Sequence, residues 1–277
     1  MPRVPGLLGP ALLFCPGDRP DRFAKAAAAA DAVIIDLEDA VAPDRKAAAR
    51  EALVSTPLDP ATTMVRVNGA ATGLLADDLA AVRRAGYRAL VLAKAETPEQ
   101  LDLLGDHRVV ALCESPLGVE QAAALAAHPC VDALAWGAED LVAALGGTSS
   151  RGADGTYREL ARYARSRVLL AAAAAGKVAY DAVHLDLADD AGLEAEATDA
   201  AASGFAGTLC IHPRQVAVVR AAYRPDPAAV ADARELLAEA ARSGGVFAWR
   251  GRMVDEPLLR QARRTLDRAN DQPRGGQ

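Results

Sequence analysis

The chain has 277 residues, of which 51% are hydrophobic, and a formal net charge of −6. This length allows one large buried core, and the scattered Lys and Arg residues form no basic stripe of the kind that binds nucleic acid. No run reaches the ~20 apolar residues that a membrane span needs, and the opening MPRVPGLLGPALLF lacks a convincing signal-peptide core. None of the four cysteines forms a CxxC motif, so we expect reduced thiols in a cytoplasmic protein.

Short apolar runs alternate with stretches of helical spacing along most of the chain. They predict strands over residues 11–14, 33–37, 64–67, 89–93, 109–113, 132–136, 178–181 and 207–211. Thr97-Pro98 and Ser115-Pro116 each predict the start of a helix, because an N-cap residue precedes a proline at the first helical position. Apolar strands separated by helices are typical of right-handed parallel βαβ units.

Eight such units favour a (β/α)8 TIM barrel over residues 1–222. The alternative is a doubly wound sheet, which would carry a glycine-rich phosphate loop after the first strand. The residues there, Cys15-Pro16-Gly17-Asp18-Arg19, do not match GxGxxG. Residues 223–277 predict a C-terminal helical extension, with helices over 227–242 and 257–270, that covers the barrel mouth as a lid or reaches a neighbouring subunit.

A longer connection, residues 146–176, separates the sixth and seventh predicted strands. It opens with the glycine- and serine-rich sequence GGTSSRGADG and continues as a long helical pattern. An insertion after a barrel strand belongs to the catalytic face. Disorder of the GGTSS portion is the alternative.

Polar side chains follow the predicted strands at their carboxyl ends, where a barrel carries its active site. They are Asp36, Glu38, Asp39, Arg66, Asn68, Lys94, Glu114, Glu139, Asp140 and His212. Glu114 and Asp140 follow successive strands with no cysteine or histidine cluster nearby. They predict a site of hard oxygen ligands suited to Mg²⁺, although each carboxylate can also be explained as a helix N-cap.

Arg66 lies between two valines in MVRVNG, where an unpaired guanidinium would be costly. It is either bridged to Asp36 or Glu38, or it clamps a substrate carboxylate or a thioester-derived enolate. Lys94 can bind an anion or form a salt bridge. On the residues alone, Asp255 is a carboxylate at a helix N-terminus just before Pro257.

Five segments together resemble the HpcH/HpaI aldolase family, and most of all its stand-alone, mycobacterial-type citrate-lyase-β-like members and its malyl- and citramalyl-CoA lyases. They are LLFCPGDRPDRFAKAAAAADAVIIDLEDAV, MVRVNG, ALCESPLGVE, AWGAEDLVAALGG and CIHPRQV, in that order. The likeness covers residues 11–270.

The resemblance implies a TIM barrel that acts on coenzyme A thioesters of short hydroxy acids. It implies that Glu114 and Asp140 bind magnesium and that Arg66 holds the carbonyl or carboxylate end of the substrate. Asp36 and Glu38 match the acidic pair that supports this substrate-binding site.

The segment WRGRMVDEP resembles the lid motif of malyl-CoA lyases, and Asp255 matches its acid/base aspartate, which an adjacent subunit delivers. This implied catalytic role replaces the cap explanation. The chain departs from the family by reading VLAK for VLPK at residues 91–94 and CES for the usual IET or VET. Asp36-Leu37-Glu38 stands where class II pyruvate aldolases have a catalytic histidine, which argues against that branch.

We therefore expect a Mg²⁺-dependent carbon–carbon lyase that cleaves malyl-, citramalyl- or citryl-CoA through an enolate, with associated thioesterase or malate-synthase-like activity. Its partners are an acyl-CoA and a 2-oxo acid, and a lid acting between subunits requires an oligomer such as a homotrimer or hexamer. One alternative is a non-autonomous β subunit of a multi-subunit citrate lyase that uses an acyl-carrier protein. Another is a barrel whose carboxylates only cap helices.

Overall fold

A computed structural model describes residues 9–270, so part of the N-terminal segment judged for a signal peptide lies outside the described residues. Eight parallel strands close into a barrel in chain order, with β1 hydrogen-bonded to both β2 and β8. The strands are β1 (Ala11–Pro16), β2 (Ala32–Asp36), β3 (Thr63–Val67), β4 (Ala89–Leu92), β5 (Arg108–Cys113), β6 (Val131–Trp136), β7 (Val178–Asp181) and β8 (Gly207–Cys210). The predicted TIM barrel is confirmed, and the doubly wound alternative is wrong.

Helices separate the strands and pack outside them, as the alternating pattern predicts. They are α1 (Phe23–Ala29), α2 (Lys46–Ser55), α3 (Leu75–Ala85), α4 (Pro98–Asp102), α5 (Pro116–Glu120), α6 (Ala122–Ala127), α7 (Ala138–Ala144), α8 (Glu159–Ala174), α9 (Asp190–Ser203) and α10 (Pro213–Tyr223). The two predicted helix starts are confirmed: Thr97 forms a capping box with Gln100, and the Ser115 hydroxyl accepts a hydrogen bond from the N–H of Gly118. Within residues 9–270, no helix combines the length and the apolar character needed to cross a lipid bilayer.

The barrel interior is filled by alternate residues of the strands, because successive side chains of a strand point to opposite faces. This interior cluster comprises Leu12, Ala32, Ile34, Met64, Val91, Val110, Leu112, Ala133, Ala135, Tyr180 and Leu209. The strand side chains between them face the surrounding helices. The strands are therefore buried on both sides, which explains their nearly continuous apolar sequences.

The connection between α7 and α8 is folded onto the barrel. Arg151 and Tyr157 form an isolated antiparallel bridge within it, and Ser150 is buried. This arrangement disagrees with the alternative in which the GGTSS portion is disordered.

The chain divides into two compact units, Met1–Arg220 and Ala221–Gln277. The second contains α11 (Pro227–Ser243), a hairpin of β9 (Phe247–Trp249) and β10 (Arg252–Val254), and α12 (Glu256–Asn270). These elements share a small core of Ala233, Leu236, Val254, Leu259 and Ala262. The two predicted helices are present here, and the predicted role of this unit as a lid stays a prediction.

Candidate active site

The alternation that fills the barrel also places three charged side chains at its mouth. Asp36, Arg66 and Glu114 each come two residues after an interior residue, namely Ile34, Met64 and Leu112. Side chains two apart on a strand point the same way, so these three continue the interior rows at the carboxyl ends of their strands. Asp36 and Arg66 are also register partners across β2 and β3, which puts them side by side.

Arg66 forms a buried, bidentate ion pair with Asp36. Its Nε and Nη2 donate to the two carboxylate oxygens at 2.7 and 2.6 Å, while Nη1 lies 3.3 Å from a carboxylate oxygen of Glu38. The guanidinium also stacks 4.6 Å from the centre of the Phe14 ring. Burial lowers the pKa of Arg66, but the hydrogen bonds and charge of Asp36 outweigh it and hold that pKa above its usual value. The structural bridge considered from the sequence is therefore present.

The carboxylate of Asp36 accepts hydrogen bonds that fix the position of Arg66. Besides Arg66, its two oxygens accept hydrogen bonds from the backbone N–H groups of Glu38 and Ala40, at 2.8 and 3.1 Å. A buried carboxylate needs this degree of pairing to stay charged. Asp36 thereby fixes both the orientation of Arg66 and the turn that carries Glu38.

Lys94 contacts carboxylates that follow three different strands, β2, β5 and β6. Its ammonium contacts Glu38 and lies 3.2 Å from Asp39 and 3.5 Å from Asp140, while its backbone N–H donates to Glu114 at 3.0 Å. The residue has a φ of +50°, in the left-handed region that a side chain seldom adopts. This unusual backbone turns the N–H towards Glu114 and the side chain towards the other carboxylates. Of the two alternatives that the sequence left open for Lys94, an anion site or a salt bridge, the structure shows salt bridges.

Glu114 is a buried carboxylate with an unusual acid strength. Burial and the negative charge of Asp140 raise its pKa to about 8, and the nearby Arg66 and Lys94 lower it only in part. Its side chain lies against Gly137, where an added Cβ would come within 2.9 Å of Glu114 Oε2. Glycine at this position makes room for the carboxylate between β5 and the start of α7.

The donor set of Glu114 and Asp140 fits a magnesium ion. The two carboxylates repel each other, and a divalent cation between them would remove that repulsion. Within residues 9–270 no group of three or more His, Cys, Asp or Glu residues is arranged to hold a metal ion. Mg²⁺ is commonly held by one or two carboxylates, with water and substrate oxygens completing its octahedron.

A second network, which the sequence analysis missed, fixes the loop that carries Glu38. Lys46 donates to the carbonyls of Leu37 and Glu38, both at 2.7 Å, and to the side chain of Asn68 at 2.9 Å. Asn68 in turn donates to the fully buried carboxylate of Asp78 at 2.7 Å. Lys46 and Asp78 lie on α2 and α3, away from the strand ends, so no strand-end pattern could have found them.

Two further sequence candidates, His212 and Asp255, make contacts of their own. His212 is exposed at the start of α10, where its ring accepts from the backbone N–H of Arg214 at 3.2 Å. Asp255 belongs to the second unit, immediately before α12, and its carbonyl accepts the N–H of Leu259 at 3.2 Å. The barrel thus brings together Asp36, Glu38, Arg66, Glu114 and Asp140.

Comparisons with known proteins identify the family of the chain. The family model for HpcH/HpaI aldolase/citrate lyase matches residues 11–213. A citrate lyase subunit beta-like protein of Mycobacterium tuberculosis is 53% identical over 263 residues, covering 95% of this chain and 96% of the relative. The mitochondrial citramalyl-CoA lyase of Homo sapiens is 34% identical over 290 residues, covering 92% and 84%.

A solved structure is similar over nearly the whole chain. It is the crystal structure of protein CitE from Mycobacterium tuberculosis in complex with magnesium, acetoacetate and coenzyme A, with a TM-score of 0.92 and 53% identity, covering 95% of this chain and 98% of that chain. The family match and the extent of these likenesses confirm the resemblance and the enzyme class inferred from the five sequence segments. The chain belongs to the HpcH/HpaI aldolase/citrate lyase family, a family of carbon–carbon lyases.

Proposed function

We propose that this protein is a Mg²⁺-dependent lyase that cleaves a carbon–carbon bond in short 3-hydroxyacyl-CoA thioesters of the malyl-, citramalyl- or citryl-CoA type. The observation that carries the proposal is that Lys94 contacts both carboxylates, Glu114 through its backbone N–H at 3.0 Å and Asp140 through its ammonium at 3.5 Å, at the mouth that also holds Arg66. The similar mycobacterial protein has been crystallised with magnesium, acetoacetate and coenzyme A, which supports the same ligand classes here.

Glu114 and Asp140 would hold the magnesium ion. Bound there, the ion would supply Lewis-acid polarisation of the oxygens of a 2-oxo acid product or of the matching hydroxy acid portion of the substrate. Glu114 must be deprotonated to serve as a ligand, and its pKa of about 8 makes that step sensitive to pH.

Arg66 is suited to stabilise the negative charge that develops on the thioester carbonyl when the bond breaks. A guanidinium has five N–H donors, of which Asp36 takes two and Glu38 faces a third. One N–H on each terminal nitrogen therefore remains for an enolate oxygen. The bidentate pair with Asp36 holds the donor plane in place before the charge forms, which is the preorganisation that electrostatic catalysis requires.

The proton transfer is assigned to Asp255 on the strength of the lid motif WRGRMVDEP. We propose that an adjacent subunit contributes this aspartate, so that the active enzyme is a homotrimer or hexamer. An aspartate that arrives with a lid closes the site to water before the enolate forms. Hydrolysis of the thioester, the proposed second activity, needs water in the same site.

The assay that tests the lyase compares malyl-, citramalyl- and citryl-CoA with and without Mg²⁺. We expect cleavage of at least one thioester that EDTA abolishes, and a loss of about 100-fold or more in kcat for Asp140→Asn and Glu114→Gln. Asp132→Asn is the matched control, because Asp132 lies near the amino end of the same strand, β6, and pairs with Arg108 there. No cleavage of any thioester by the unaltered protein would contradict the proposal. Turnover only after an acyl-carrier protein is added would favour the β-subunit alternative.

A mixing experiment tests the role of Asp255. Asp255→Asn and Glu114→Gln are each expected to lose activity, and Asp255→Asn is expected to keep its Mg²⁺ affinity. Subunits of the two variants, exchanged under mild denaturation and reassembled, should recover activity, because some sites then receive an intact aspartate from a neighbour. If the subunits are shown to exchange and no activity returns, the adjacent subunit does not deliver Asp255.

A further inference from the structure

The segment between α7 and α8, residues 145–158, makes contacts that the proposed chemistry does not use. Its Ser150 is buried, and the Ser150 hydroxyl donates a hydrogen bond to Glu139 Oε1 at 2.5 Å. Glu139 lies in the first turn of α7, directly before Asp140. A residue eleven positions further along the chain therefore holds the turn that presents a proposed magnesium ligand.

The same segment is attached to the barrel on the other side of Ser150. The Arg151 guanidinium forms a bidentate ion pair with Glu196 on α9 and stacks 3.9 Å from the centre of the Tyr157 ring. The Tyr157 ring meets the buried ring of Trp136, at the end of β6, edge to face at 5.3 Å. An edge-to-face ring pair and an ion pair thus anchor the segment to β6 and α9.

Glu196 is itself held from the opposite direction. His184, which follows β7, contacts Glu196 through Nδ1 at 2.9 Å, and the His184 carbonyl accepts a hydrogen bond from Gln215 at 2.8 Å. The anchor is therefore continuous with the ends of β7 and α10. A segment held at this many points has a fixed position relative to the barrel, and it can transmit that position to α7.

Asp140 depends on such support. Its side chain is 39% exposed, and it lies 3.5 Å from the Lys94 ammonium, a distance too long for a strong hydrogen bond. Its direction is therefore set mainly by the backbone of the first turn of α7. Ligands that point correctly before the metal arrives bind it more tightly, because less ordering is needed on binding.

We propose that Ser150 is a positioning residue for the magnesium site: through Glu139 it fixes the first turn of α7, so that Asp140 faces Glu114. This inference rests on the proposed function, since it assigns Ser150 a part in the same metal site. It explains why Ser150 is buried in a glycine- and serine-rich connection where Thr148, Ser149 and Thr156 are exposed.

The test is calorimetric titration of the full chain with MgCl₂ in the presence of pyruvate, together with the Mg²⁺-induced shift in melting temperature. Ser150→Ala is expected to weaken Mg²⁺ binding about tenfold, the lower end for loss of an outer-shell partner, while the KM for the thioester stays unchanged. Ser149→Ala is the matched control, because it removes a hydroxyl one residue away that bonds to the backbone of Arg151. Ser149→Ala should bind Mg²⁺ like the unaltered protein.

A double-mutant cycle sharpens the result. If Ser150 acts through Glu139, then adding Ser150→Ala to Glu139→Ala should weaken binding no further, and Glu139→Gln, which keeps the acceptor, should weaken it less than Glu139→Ala. Additive losses, or Mg²⁺ binding by Ser150→Ala within about twofold of the unaltered protein, would overturn the inference. If Asp140→Asn abolishes binding while Ser150→Ala does not change it, only the positioning role fails. If Asp140→Asn binds Mg²⁺ normally, the proposed metal site fails and the positioning role with it.

Discussion

The two sides of the barrel mouth differ in how their charges are compensated. On the side of β2 to β4, Asp36 and Glu38 face Arg66 at 2.6 and 3.3 Å, and Lys94 adds a second cation against Glu38. On the side of β5 and β6, Glu114 is buried near Asp140, and the pKa of Glu114 rises to about 8. On the first side the carboxylates are neutralised by Arg66 and Lys94, whereas on the second side an ionised Glu114 adds a negative charge that its neighbours offset only in part.

Because of this difference, we expect substitutions on the two sides to change the free energy of unfolding in opposite directions. We call the side of β2 to β4 the compensated side and the side of β5 and β6 the uncompensated side. Removing one partner from the compensated side leaves a buried charge without a counter-ion, which destabilises the fold. Removing the charge of Glu114 relieves a repulsion that exists in the folded state only. A site that keeps such a repulsion is suited to a cation that supplies the missing positive charge, so the instability reflects the proposed function.

The largest predicted effect concerns Arg66. Arg66→Met should lower the free energy of unfolding by about 3–5 kcal/mol, because Asp36 and Glu38 would stay buried without their cation. Urea denaturation measures this loss. Arg88→Met is the control, since Arg88 pairs with Asp106 on the surface with both side chains over 70% exposed, and its loss should be within about 1 kcal/mol of zero. Equal losses for the two variants would mean that the compensated side is not a buried network.

Glu114→Gln should change stability in the opposite direction, and only at higher pH. The folded pKa of about 8 lies above the usual 4.5, so Glu114 stabilises the fold fully below pH 4.5, and that contribution is lost as pH rises through 8. Glutamine has no such loss. In EDTA, the variant should gain on the unaltered protein between pH 5 and pH 8, by a few kcal/mol on the order of the pKa difference.

Urea titrations at several pH values measure this gain in the free energy of unfolding. The control is Glu120→Gln, at an exposed position. Saturating Mg²⁺ should stabilise the unaltered protein at pH 8 and leave Glu114→Gln nearly unchanged. A variant that is less stable than the unaltered protein at pH 8 would show that Glu114 is a compensated charge like Asp36.

The barrel and most of the residues at its mouth could be predicted from the sequence, because the residues of barrel strands alternate between the interior and the surrounding helices. Both boundaries of each of the eight barrel strands lie within two residues of the predicted ones, and the polar residues at the carboxyl ends of these strands include Asp36, Arg66, Glu114 and Asp140. Parallel strands bring their carboxyl ends to one face, so the gathering of these side chains followed from the fold.

The sequence could not predict which of the polar side chains at the barrel mouth pair with each other. The sequence left open whether Arg66 binds Asp36 or a substrate, because that choice depends on register and on distances of a few tenths of an ångström. Lys94 was undervalued because its contacts require a positive φ at a residue other than glycine. The link from Ser150 to Glu139 depends on a loop whose path no periodicity describes.

Lys94 lies between the two sides, and its removal should shift their balance modestly. Its ammonium is 3.5 Å from Asp140 and would compete with a cation there. Lys94→Met should tighten Mg²⁺ binding about fivefold, since a partly exposed ion pair contributes up to about 1 kcal/mol. Calorimetry with Lys94→Arg, which keeps the charge, and the exposed Lys25→Met as controls tests this. Weaker binding in Lys94→Met would mean that the ammonium organises the site and does not compete for it.

The smallest predicted effect separates a helix cap from the metal site beside it. Ser115 follows Glu114 directly, but its hydroxyl accepts from the N–H of Gly118 at 3.1 Å and donates to Glu96 at 2.7 Å. Ser115→Ala should therefore lower the free energy of unfolding by about 0.5–1 kcal/mol, independently of pH, and leave Mg²⁺ affinity unchanged. Ser115→Thr, which keeps a capping hydroxyl, should lose less. If Ser115→Ala instead weakened Mg²⁺ binding as much as Glu114→Gln, then the Ser115 hydroxyl would belong to the metal site. A difference in charge alone would then no longer distinguish the two sides of the mouth.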